Sequence, residues 1–180
     1  MSAKRATCVL LLAGLALPSQ LPAQEVRRSQ RGTVMQMIAT TAVTVIYNRP
    51  SARGRELFGG VVPYGREWNP GADEATTVTF SKDVRIAGQP LAAGKYSLWL
   101  IPAEGAAWTV IFSRAANVFH VPYPAGQDAL RAQIEPEQGC FMETLAFYFP
   151  AVQPDAAELR LHWGETVLPI PIALDQVNVP

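Results

Sequence analysis

Once an N-terminal leader is set aside the chain has a single cysteine, so no disulfide can form within it and the domain must rest on an ordinary apolar core. Histidine is as scarce. His120 and His162 lie far apart and neither belongs to a short ligand spacing, so a dedicated zinc site has no local signature and no metal is implied. Excess charge of either sign is missing too, and a formal net charge of zero provides neither a basic surface for nucleic acid nor a polybasic patch for anionic lipid. No apolar run reaches the ~20 residues of a membrane-spanning helix. There is no G-x-S-x-G, and Gly59-Gly60 and Gly65 form neither a phosphate-cradling nor a dinucleotide pattern, so no serine nucleophile and no cofactor is implied.

What is present begins with the leader. Lys4 and Arg5 precede an apolar run over residues 6–17, and residues 18–23 supply a helix-breaking, small-residue exit, which together make a secretory signal peptide over residues 1–23. Cleavage is expected near Ala23, leaving an exported protein, periplasmic or secreted, with no stable membrane insertion. Cys8 lies inside the apolar run rather than just after it, which favours a soluble product over a lipid-anchored one. Residues 24–33 read as a flexible basic lead-in and residues 34–180 as one β-sandwich domain.

Strand signals then recur at near-regular spacing. Residues 42–47 place Val43, Val45 and Tyr47 on one face, and residues 74–81 place Val78 and Phe80 likewise. Residues 95–101 are apolar on both faces, which predicts a central strand covered twice. A hairpin follows, with Trp108, Val110 and Phe112 inward. After an irregular stretch carrying His120, residues 130–135 and 141–149 read as strands. Cys140 opens the second of these, which predicts a buried, inert thiol. Residues 159–163 form a strand with Arg160 and His162 outward, Gly164-Glu165 a tight turn, and residues 166–174 a last strand that Pro169 and Pro171 mark as an edge. The class is all-β, an antiparallel β-sandwich or flattened barrel with one long ordered loop.

That loop, residues 47–77, is the least regular part of the chain and carries the candidate site. Long loops without regular structure are usually functional or disordered, and aromatic content here argues for order. Arg49, Glu74 and Glu143 each fall in phase with the core side chains of their strands, where charge is found almost only when paired, so the three are expected to meet. Two readings follow. A buried network would merely anchor the loop. A polar pocket would present Arg49, Arg53, Arg55 or Arg66 to an anionic or hydroxylated ligand, with Tyr64 and Trp68 as walls, because the arginine fork suits carboxylate, phosphate or sulfate. Glu74 and Glu143 are also the weak candidates for a catalytic pair, as in a glycosidase. A purely structural envelope role is the remaining alternative.

The run Y-N-R-P-S-A-R-G-R-E-L-F-G-G-V-V-P-Y-G-R-E-W, followed by G-A-D-E-A-T-T-V-T-F-S-K-D-V, L-A-A-G-K-Y-S-L-W-L-I-P and W-T-V-I-F, resembles bacterial exported proteins grouped as domain of unknown function 2911. The resemblance implies an exported β-rich domain and brings no activity or ligand. The chain departs from the usual family pattern at Asn69-Pro70 and Asp73, which removes one basic side chain from the loop. The combined expectation is a binding domain for a small polar or anionic ligand.

Overall fold

The computed structural model describes residues 26–175, so the leader over residues 1–23 lies outside the described residues. Among the described residues ten strands make two antiparallel sheets packed face to face, an open sandwich rather than a closed barrel. In the larger sheet β1 (Gln30–Ile38), β2 (Thr41–Arg49), β3 (Thr77–Phe80), β6 (Gly94–Ile101), β7 (Trp108–Ser113) and β8 (Asp128–Ile134) lie in that order. The smaller sheet runs β5 (Gln89–Leu91), β4 (Val84–Ile86), β10 (Ala156–Ala173), β9 (Glu137–Val152).

Period-two alternation sends one face of each strand inward. Val43 and Val45 of β2, Val78 of β3, Leu98 and Leu100 of β6, and Val110 and Phe112 of β7 are all completely buried. They meet Leu145, Leu159, Leu161 and Leu168 from the smaller sheet. The doubly apolar strand is covered twice. On its outer face Trp99 and Ile111 form a second cluster with Ala75, against which Val118 and Tyr123 pack.

The strands differ from the sequence reading at their ends. β1 begins at Gln30 rather than at residue 34, because its full length pairs with β2 from Gln30↔Arg49 onward. Gly164-Glu165 is not a turn. β10 continues through it as one strand of 18 residues, and the pairing with β9 shifts register on either side of Gly164, whose φ is +60°. Nor do Pro169 and Pro171 mark an edge. β10 is internal, and the prolines fall between its pairing with β9, which ends at Val167, and its pairing with β4, which starts at Ile172, where no ladder N–H is required. His162 is buried, its ring covered by Tyr148 and Gly139 of the neighbouring β9. Its Nε2 donates to the Cys140 carbonyl at 2.8 Å, and the expectation of a solvated ring fails. Cys140 fails in the opposite sense. It sits near the start of the edge strand β9, and its thiol is exposed.

Candidate ligand-binding groove

Arg49, Glu74 and Glu143 do not meet. After β2 the chain crosses to the other sheet and binds the β9 backbone, with Leu145 N donating to Pro50 O at 2.9 Å and Ala52 N to Glu143 O at 2.8 Å. Arg49 is used in that crossing, its Nε donating to the Leu145 carbonyl at 3.1 Å. The Glu143 side chain is exposed and accepts from Arg53 N at 2.8 Å. Glu74 is exposed at the far end of the loop and belongs to a different neighbourhood. Among the described residues no ion pair links any two of the three. Phase predicted a shared buried network, but each charge has its own partner: Arg49 the backbone of the facing β9, Glu143 a loop amide, and Glu74 the Arg27 guanidinium.

The rest of the loop is more structural than its composition suggests. Arg55 folds back on its own turn, donating to Ala52 O at 2.9 Å and Ser51 O at 2.8 Å. Trp68 pairs its backbone with Leu100 and stacks on Trp163, ring centroids 6.0 Å apart and 14° from parallel, with Phe58 edge-on at 5.8 Å. It is a core plug. Tyr64 and Phe58 border a cavity of about 310 Å³ whose charged lining residues are Glu137 and Glu165, the wrong sign for an anion. Arg53 and Arg66 are exposed and do not line that cavity.

A different cavity, of about 300 Å³, lies on the outer face of the larger sheet. Its floor follows from register. Arg31 stands opposite Asn48 across β1 and β2, Ile46 opposite Thr77 across β2 and β3, and Thr79 opposite Lys95 across β3 and β6. These residues share the parity opposite to Val43, Val45 and Tyr47, so they face away from the core. Lys95 is level with Thr44, four residues from Asn48, so the floor extends about 13 Å along the strands at ~3.3 Å per residue. Residues 116–119 form the wall. They are fixed by Ala75 N donating to Val118 O at 3.0 Å and by Lys95 Nζ donating to Asn117 Oδ1 at 3.0 Å.

Asn48 is the unusual member. It is 3% exposed, and its Nδ2 donates to Ala72 O at 2.7 Å and to Glu74 Oε2 at 3.1 Å. Both partners can only accept, so the orientation of the amide is settled. Its Oδ1 is buried and has no hydrogen-bond partner among the described residues. Such atoms are rare in native proteins, and a buried unpaired acceptor costs about 1–3 kcal/mol.

Glu74 forms the rim beside it. The Arg27 guanidinium grips the carboxylate, and the residue's own backbone N–H and Asn48 add further hydrogen bonds, which holds its pKa at about 2 instead of 4.5. A carboxylate so firmly ionised serves as a charge and an acceptor, and it is poorly placed to deliver a proton near neutrality. His120 supports the rim from below, its backbone N and ring Nδ1 both donating to Asp73 O, at 3.0 and 2.7 Å. Among the described residues no group of three or more His, Cys, Asp or Glu side chains is placed to hold a metal ion.

Of the residues singled out by sequence, then, only Glu74 lines the groove. Arg31, Asn48, Lys95, Asn117 and Phe119 were missed. Asn48 stood in outward phase on its strand, but nothing local distinguishes it from a solvated asparagine. Arg31 was masked by the basic lead-in. A count of residues sharing one face of several strands finds them only when the strand order is known.

The chain belongs to the family described as Protein of unknown function (DUF2911), whose model matches residues 29–172. No curated protein and no solved structure gives a match.

Proposed function

We propose that this family member is an exported binding domain that takes a small polar or anionic ligand in the groove between Asn48 and Lys95. Export rests on the leader pattern of residues 1–23. Binding rests on one observation above the others, the unpaired Asn48 Oδ1 beside a groove that also holds Arg31 and Lys95. Among the described residues Arg31 has no ion-pair partner, and the Lys95 ammonium uses one donor on Asn117 and retains others. Two cations and a lone acceptor ask for an anion and a donor. Reaching Oδ1 requires neighbouring side chains to shift on binding, an adjustment that is common at binding surfaces.

The test is nuclear magnetic resonance of the labelled protein against a panel of small sugars, carboxylates, phosphates and amino acids. Ligands should perturb the Asn48 and Asn117 side-chain amides together with the Thr77 backbone. A footprint around Arg53, Tyr64 and Arg66 would move the site back to the loop, and a panel without any footprint on the groove would count against a binding role for it.

A further inference from the structure

We infer that the ligand class is a hydroxylated monocarboxylate the size of a sugar acid, held with its carboxylate on Arg31 and a neighbouring hydroxyl on Asn48. This rests on the groove reading above and narrows it.

The first argument is adjacency. Arg31 and Asn48 are directly opposed on the same face of a two-strand ladder, a placement that puts Cβ atoms about 4.5–5.5 Å apart. A single ligand can therefore reach both when its anionic group and its hydrogen-bond donor lie close together in one small molecule, as in a hydroxy acid. Arginine's planar fork matches the two oxygens of a carboxylate, and the acceptor-only Asn48 Oδ1 requires a donor that an unsubstituted carboxylate lacks.

Charge argues against a heavier anion at this end. Glu74 stands next to Asn48 and donates none of its own hydrogen bonds, being held as a carboxylate by Arg27. A phosphate, with close to two negative charges at neutral pH, meets that carboxylate with only Arg31 free to offset it. One negative charge balances one fork.

Size and surface set the rest. A volume of about 300 Å³ is at the lower limit for small-molecule sites and suits one or two sugar rings. Between its polar ends the groove presents Ile46, Ala75 and Val118, with Phe119 half exposed at the lip, an apolar strip for the C–H face of a ring. Thr77 in the floor and the Lys95–Asn117 pair at the far end offer hydroxyl partners.

The experiment is isothermal titration of the intact protein with glucuronate, galacturonate and gluconate, set against glucose, glucose 6-phosphate and the hydroxyl-free acid cyclohexanecarboxylate. At least one sugar acid should bind about tenfold or more tighter than glucose and than cyclohexanecarboxylate, as expected for one charge-assisted fork plus one donor. Arg31→Met should abolish the preference over glucose, and Lys95→Met should weaken every sugar alike. Equal binding of glucose and its acid, tighter binding of the phosphate, or a sugar-acid preference that survives Arg31→Met overturns the inference while leaving the groove as a binding site. Binding of no probe, or binding that neither substitution alters, overturns it together with the groove reading.

Discussion

Arg27 grips Glu74 with both terminal guanidinium nitrogens across a separation of 47 residues, and Asn48 donates to the same carboxylate at 3.1 Å. The start of the described chain is thereby fastened to the polar end of the groove. Glu74 has a folded-state pKa of about 2 against an ordinary 4.5, so the clasp contributes stability that is complete above about pH 4.5 and disappears as pH falls through about 2. Carbon NMR of the Glu74 carboxyl should show a midpoint nearer 2 than 4.5. Protection of the amides at Gly32 and Val34, which face β2 in the ladder, against hydrogen exchange should fall across the same window in the wild type. In Glu74→Gln it should be low throughout.

Trp68 reads by sequence as a ligand wall, yet its stack on Trp163 and edge contact with Phe58 predict a structural cost. Trp68→Ala should destabilise the fold by about 2–4 kcal/mol in urea denaturation, since the ring is half-buried and the fully buried case runs to about 5. Arg53→Ala and Arg66→Ala, on exposed side chains, should remain within about 0.5 kcal/mol of the wild type.

Gly164 sits at φ +60°, and a Cβ added there would lie 2.8 Å from Leu57 Cδ1. Gly88, at φ +79° in the β4–β5 turn, has nothing within 4 Å. Gly88→Ala therefore measures backbone strain alone, about 1–2 kcal/mol, and Gly164→Ala should cost more by an overpacking contribution of about 1–3 kcal/mol. Pairing Gly164→Ala with Leu57→Ala should show favourable coupling between the two sites in a double-mutant cycle, because the truncated side chain vacates the clash.

Cys140 is exposed, so the native protein lacking residues 1–23, and with them Cys8, should react with a thiol reagent to one equivalent without denaturant. A thiol that reacted only after unfolding would return it to the core.

Much of the fold was legible because period-two alternation is a local property. The inward residues of β2, β3, β6 and β7 follow from parity alone, and so does the double cover of β6, read from Trp99 and Ile101 opposing Leu98 and Leu100. Glycine was less transparent. Gly164-Glu165 has turn chemistry, yet a glycine at positive φ serves a register shift inside a long strand equally well, and only β9 alongside it decides which.

The candidate site was hardly legible. Arg49, Glu74 and Glu143 shared the core phase of their strands, but phase specifies a face and not which partner stands across from it. Arg49 meets the Leu145 carbonyl of the facing sheet, Glu143 the Arg53 amide of the loop, and Glu74 the Arg27 guanidinium. What the residues alone determined was an all-β chain with two inward faces, a core without a disulfide among the described residues and one ordered loop, since these depend on composition and short-range period. Which polar groups became neighbours was decided by the tertiary structure. The groove takes Arg31, Asn48 and Lys95 from three strands, aligned by register across β1, β2, β3 and β6, and no spacing within one segment encodes that alignment.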